Sequence, residues 1–372
     1  MDLKEVSVKQ TPAVAASPYS SDEALTLVQK RLEGDLARVR ERLHSLVAPP
    51  HSRIAGPIEY AVAQTGRLLR PTLVLLSAYL LEEDAADTPQ RVVDAAAVVE
   101  TLHVATLYHD DLIDDARTRR GRPTANAKYG DTLALLTGDY LLARCMEAAA
   151  AVNAAPVMAR TLTDVCVGQM LESSQLYDPL RSEDDYLAAI SGKTARLIRT
   201  AALMGALQSN ADNIGQEALE GFGHHLGMAF QIWDDILDIC SEETGKQVAK
   251  DLHNGVYTLP VIYAARTHPD EMLPILRERP MSEEQRQRVI SLTHRSGALG
   301  RAADVARDHV RDAMGALRSH PSFAERAPVV GRYLHGVVDR FASQHPALRG
   351  PLDATRADLL PVPAGMEPGG AA

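Results

Sequence analysis

Two short runs of aspartate hold the residues best suited to chemistry. Asp110, Asp111 and Asp114 form one D-D-x-x-D cluster, and Asp234, Asp235 and Asp238 form a second. Each interrupts a stretch whose apolar spacing predicts a buried helix. Helix positions i and i+4 share a face, so Asp110 converges with Asp114 and Asp234 with Asp238. Like charges at that spacing oppose the helix, and carboxylates beside an apolar stripe are costly unless paired. Two such clusters call for a shared cation, and hard oxygen ligands select Mg²⁺. The pattern reads as a site for several Mg²⁺ ions and, through them, for a polyanion such as a diphosphate.

Fixed cations stand nearby. Arg119 and Arg120 follow the first cluster and precede Gly121-Arg122-Pro123, where Gly and Pro end the helix. Guanidinium groups hold phosphate in a forked, bidentate way, which suits a diphosphate beside a metal. Arg67 and Arg70 sit at the start of another apolar helix, whose N-terminus also favours anions. Any one of these arginines alone reads as a solvated surface charge. Next to two acidic clusters, together, they read as a phosphate pocket.

The elements that must position these groups are helices throughout. Apolar residues recur with helical spacing over 22–45, 57–81, 89–116, 131–152, 157–176, 183–207, 215–240 and 255–267, then over 282–295, 299–317 and 327–343. Breaks are expected at Pro49-Pro50, Arg119–Pro123, Asp178-Pro179 and His268-Pro269. The chain of 372 residues is 45% hydrophobic but only 4% aromatic, so Ala, Leu and Val must fill a close-packed helical core. The expectation is all-α: one helical bundle over 21–345, a disordered tail over 1–20 and a flexible Pro/Gly/Ala-rich tail over 346–372. A net charge of −10 argues against nucleic acid as a partner. Cys145, Cys166 and Cys240 have no paired spacing, and the N-terminus has no apolar signal core. A reduced, cytoplasmic protein without a membrane span is expected.

The motifs resemble those of the trans-isoprenyl diphosphate synthases, the polyprenyl synthetase family. His109-Asp110-Asp111-Leu112-Ile113-Asp114 with Arg119-Arg120-Gly121-Arg122-Pro123-Thr124 resembles H-D-D-x-x-D followed by R-R-G-x-P-T. Gly227 to Asp238 resembles G-x-x-F-Q-x-x-D-D-x-L-D. Gly192-Lys193-Thr194-Ala195, Gly245-Lys246, Lys250-Asp251-Leu252 and Thr258-Leu259-Pro260 match further motifs in order, over roughly residues 60–265. The resemblance implies an isoprenoid-synthase bundle around a central cavity that condenses isopentenyl diphosphate with an allylic diphosphate. It implies three Mg²⁺ ions held by Asp110, Asp111, Asp114, Asp234, Asp235 and Asp238. Lys193, Thr194, Gln231 and Lys246 would assist ionisation of the allylic substrate. Arg67, Arg70, His103, Arg119 and Arg120 would bind substrate. A homodimer is implied too, and the Ala-rich stretch 143–151 could pack closely enough to form it.

Several residues also have plain structural readings. His103, Thr194 and Gln231 could be satisfied core groups, and Trp233 reads as packing. His224 and His225 are adjacent, so they point apart and make a poor metal site by themselves. Two positions depart from the family pattern: Leu68 stands where an arginine is usual and Val256 where a lysine is usual. The resemblance implies that product length is set by what floors the cavity below the first cluster, here the helix face before Asp110, namely Thr106, Ala105, Leu102, Thr101 and Val98, each turn deepening the pocket by about 5.4 Å. None is aromatic, so a product of C20 or longer is expected, with Tyr108 facing away. The alternative is a cyclase of the same fold that ionises a prenyl diphosphate without extending it.

Overall fold

The computed structural model describes residues 21–63, 65–81, 87–240 and 249–344, together with residues 355, 358 and 359. The expected 1–20 tail and Lys246 lie outside the described residues. In the first half, α1 (Ser21–Leu46), α2 (Ala55–Ala63), α3 (Leu69–Tyr79) and α4 (Gln90–Ile113) are followed by a hairpin of two-residue strands, β1 (Thr118–Arg119) and β2 (Arg122–Pro123). Next come α5 (Ala125–Tyr129), α6 (Asp131–Ala151), α7 (Ala155–Ser174), α8 (Glu183–Ile190), α9 (Arg196–Gln208) and α10 (Asn213–Cys240). Beyond them lie α11 (Lys250–His253), α12 (Leu259–Thr267), α13 (Pro269–Leu276), α14 (Glu283–Arg295), α15 (Ala298–Arg318), α16 (Pro321–Ala324) and α17 (Ala327–Gln344). The fold is an all-α bundle.

Small residues let these helices approach closely. Helix α4 runs through the middle of the first core, packed by α1, α3, α6 and α9. Its Ala95, Ala96, Ala97 and Ala105 are completely buried. A Cβ at Gly205 of α9 would collide with the Val74 carbonyl and Ser77 of α3. A second core joins the end of α10 to α8, α12, α14 and α15 through Ile232, Ile236, Tyr186, Leu259 and Val289. Each core places one acidic cluster at its edge.

The helix expected over 57–81 is two helices. Leu68 takes a left-handed backbone (φ 52°) and breaks the run just before α3. The side chain of Leu68 is 2% exposed and belongs to the core, so it presents no surface to a phosphate pocket. His268-Pro269 breaks the chain as expected but also starts α13, because proline suits the first turn of a helix. The stretch 183–207 is continuous, but a π-turn at Ser191–Ala195 joins α8 to α9. Of the segment expected as a flexible C-terminal tail, Thr355 and Leu359 are instead buried (2% each), and Asp358 pairs with Arg307 Nε at 3.1 Å. Apolar Leu359 seals the α15 and α17 surface there, a contact that composition alone does not reveal.

Candidate active site

The first acidic cluster lies where α4 ends. Asp110 and Asp111 occupy its last turn and Asp114 is its C-cap residue. The negative end of a helix is a poor place for carboxylates unless a cation answers them. Arg119 answers Asp111, donating from Nε to Oδ1 at 2.8 Å. The hairpin sets that contact: Arg120 (φ 52°) and Gly121 (φ 75°) turn the chain back, a conformation glycine adopts freely. Burial pushes the Asp110 and Asp111 carboxyls above the ordinary range, despite Lys193 near Asp110 and Arg119 beside Asp111.

The second cluster is built differently. Asp235 is 3% exposed and accepts from Tyr186 Oη at 2.6 Å and Gln231 Nε2 at 2.7 Å. Gln231 Oε1 in turn accepts from Thr194 Oγ1 at 2.7 Å. Burial pushes the Asp235 carboxyl up to about 7, and these two donors restrain the rise. Asp238 accepts the backbone N–H groups of Lys250 and Asp251, each at 3.1 Å, at the start of α11. Asp234 projects from the exposed face between them.

Lys250 joins the two clusters. Its backbone N–H bonds to Asp238, while its Nζ lies 3.6 Å from Asp114 Oδ2. Lys193 enters from the π-turn and pairs with Glu172 of α7. Burial pulls the Lys193 ammonium down, but Glu172 and Asp110 outweigh it and hold the group above its ordinary value. Gly168 and Gly192 permit this arrangement, since a Cβ on either would strike the facing backbone.

A cavity opens beside the first cluster, lined by Thr65, Gly66, Glu100, His103, Arg119 and Arg120 among others. A Cβ at Gly66 would collide with the Arg120 guanidinium. Arg70 is half-buried with its Nε completely covered, and burial pulls it down to about 10 against the pull of Glu100. Burial, then Arg70 and Arg120, hold His103 well below its ordinary value, so it is neutral at neutral pH. Arg67 is exposed and does not line this cavity. Tyr108 does line it, on the Asp111 side of α4, and donates to the Pro57 carbonyl at 3.0 Å.

The fold therefore gathers Asp110, Asp111, Asp114, Lys193, Thr194, Gln231, Asp235 and Asp238 around one mouth, with His103, Arg119 and Arg120 in an adjoining pocket. Sequence reading passed over Glu100, Glu172 and Tyr186. Lys250 and Asp251 were visible only as part of K-D-L, without a role. Glu100 could have been found, since it lies one turn before His103 on the same face. Glu172 and Tyr186 carry no local signal.

The polyprenyl synthetase family model matches residues 51–293. The chain belongs to this family. A nonaprenyl diphosphate synthase of Mycobacterium tuberculosis is 34% identical over 90% of this chain and 99% of its own length. Component 2 of the heptaprenyl diphosphate synthase of Geobacillus stearothermophilus is 40% identical over 63% of this chain and 73% of its own. Among solved structures, a decaprenyl diphosphate synthase from Rhodobacter capsulatus superposes with TM-score 0.73 at 30% identity, covering 81% of this chain and 95% of that one. A polyprenyl synthase from Caulobacter crescentus, complexed with calcium and isoprenyl diphosphate, gives TM-score 0.73 at 30% identity over 84% of this chain and 96% of that one. This polyprenyl synthetase is a prenyltransferase that condenses isopentenyl diphosphate with an allylic diphosphate. These relatives support chain extension and give the cyclase alternative no support. Among the described residues, no helix of this polyprenyl synthetase is long and apolar enough to cross a membrane.

Proposed function

We propose that this chain makes a long trans-polyprenyl diphosphate, C20 or longer, at the mouth between α4 and α10. The observation that carries this reading is Lys250, which bonds Asp238 through its backbone and faces Asp114 through its side chain. Both acidic clusters therefore address one space. Their donor set suits Mg²⁺: hard carboxylate oxygens, several of them buried and pushed toward the neutral form by burial. Asp110, Asp111 and Asp114 on one side and Asp234, Asp235 and Asp238 on the other would hold three ions. Bound there, Mg²⁺ would neutralise charge growing on the departing diphosphate.

The remaining residues divide the work. Lys193 and Arg119 add fixed positive charge at the leaving group, and Lys246 joins them by its place in the motif. The Thr194–Gln231–Asp235 chain orients Asp235 and offers oxygen dipoles beside a developing allylic cation. Arg70, His103 and Arg120 take the diphosphate of isopentenyl diphosphate, with neutral His103 donating one hydrogen bond, and Arg67, which does not line that cavity, joins them only by its place in the motif. The apolar lining of α4 keeps water from the cation.

The working unit in this reading is a cytoplasmic homodimer. The Ala-rich stretch 143–151 turns Cys145 and Ala149 inward, with Cys145 against Val98, and leaves Ala143, Ala150 and Ala151 exposed, open to close packing by a second copy. Large exposed apolar residues include Leu133, Leu135 and Leu136 on α6, and Val167, Met170 and Leu171 on α7. A patch of that kind marks an interface. The test is incubation with Mg²⁺, labelled isopentenyl diphosphate and allylic primers of increasing length, followed by sizing of dephosphorylated products. A ladder reaching C20 or beyond is expected; a stop at C15 refutes the length, and prenyl alcohol or hydrocarbon without incorporated label refutes extension.

A further inference from the structure

We infer that His225, His309 and Asp312 form a second metal site, separate from the acidic clusters, that takes a late first-row divalent ion such as Zn²⁺. His225 comes from α10, while His309 and Asp312 stand three apart on α15, hence on one face. The two Nδ1 atoms are 2.9 Å apart, and Asp312 Oδ2 lies 3.8 Å from His225 Nδ1. One ligand atom from each residue fits within a 4.8 Å span. Two nitrogens each about 2.1 Å from one ion lie about 3.0 Å apart at a right angle and about 3.4 Å apart at the tetrahedral angle. The observed separation therefore suits a shared ion with little movement.

The chemistry of the set differs from that of the aspartate clusters. Two imidazoles and one carboxylate favour zinc, nickel or copper, whereas all-oxygen sites favour Mg²⁺. His225 is 30% and Asp312 62% exposed, so an ion can enter and water can complete its sphere. His224, its ring set edge-on to that of His225, lines a different pocket with Arg196 and Arg199 and takes no part. His225 sits about 14 Å from Asp234 by helical rise alone, which places the ion away from the diphosphate mouth. Such an ion would pin α10, the helix carrying the second acidic cluster, to α15.

The test uses full-length protein without a histidine tag, stripped by chelation, then held in millimolar Mg²⁺ so that the aspartates are occupied. Zn²⁺ is titrated against a chromophoric chelator. A single zinc ion per chain is expected, lost in His225→Ala and His309→Ala and retained in Asp110→Asn. Changes beside metal ligands already weaken binding by about 10–100-fold, so the exposed ligand variant Asp312→Asn should weaken uptake by at least about tenfold. Zn²⁺ should raise the thermal midpoint of the wild type but not of His309→Ala, and Co²⁺ should give visible absorption bands only in the wild type. If a histidine variant fails to fold by circular dichroism, Asp312→Asn decides. No zinc uptake in Mg²⁺, or uptake unchanged by Asp312→Asn and the folded histidine variants, overturns the site and leaves a plain histidine–histidine hydrogen bond.

Discussion

The Tyr186 hydroxyl donates to Asp235 Oδ2 at 2.6 Å, and both groups are almost completely buried. Helix α8 thus fixes the orientation of a carboxylate on α10. Tyr186→Phe removes that donor without changing shape. Hydrogen bonds to charged groups contribute about 1.5–3 kcal/mol, so denaturant unfolding without metal should show a loss of that order. Asp235 should also hold metal less well, and the Mg²⁺ activation curve should move to higher concentration. An unchanged unfolding midpoint would show that Gln231 alone suffices.

Lys193 is held by Glu172, which keeps the ammonium charged and aimed at Asp110. Lys193→Ala should lower kcat/KM for condensation by about 10²–10³-fold, the usual loss for one electrostatic contact in a water-poor site. Glu172→Gln should lower it less, because the cation remains but is less firmly placed. Steady-state rates with both substrates varied check this, and an unaffected Lys193→Ala enzyme excludes the role.

Thr106 stands one turn before Asp110 on the same face and is half-buried, whereas Val98, Thr101, Leu102 and Ala105 are at most 1% exposed. Of the face expected to floor the product cavity, Thr106 is therefore the position with open space beside it. Thr106→Phe should shift products to shorter chains with little loss of the first condensation. Sizing the product ladder tests it, and an unchanged ladder would place the floor on another helix.

Burial pushes Glu100 from its ordinary 4.5 to about 7, outweighing the pull of Arg70 and Arg120. The folded state therefore binds this proton more tightly than the unfolded state. The stability it contributes is present below about pH 4.5 and is lost as pH rises through about 7. Glu100→Gln lacks that titration, so its unfolding midpoint should improve relative to wild type from about pH 5 to about pH 8. Parallel pH profiles for the two proteins would contradict this.

Burial raises the Cys145 thiol to about 12. Reactivity follows the thiolate, so native Cys145 should resist alkylation near neutral pH and react after unfolding. Peptide mapping by mass spectrometry reads this directly, and rapid native labelling of Cys145 would mean that α4 and α6 open readily.

The sequence by itself determined the helical class, the two aspartate clusters and their arginines. Each is a local property: apolar residues at 3.6 spacing, carboxylates at i and i+4, and motifs within single segments. The break before α3 was not legible, because a left-handed residue at Leu68 carries no mark in its side chain. The interior place of Leu68 was equally hidden. Only the tertiary structure brought Tyr186 to Asp235, Glu172 to Lys193 and Lys250 to both clusters, since these pairs join helices distant along the chain. The two histidines at 224 and 225 show the same limit. Adjacent residues on a helix do point apart, so the pair is no site, yet α15 supplies the partners that make His225 one half of a cluster.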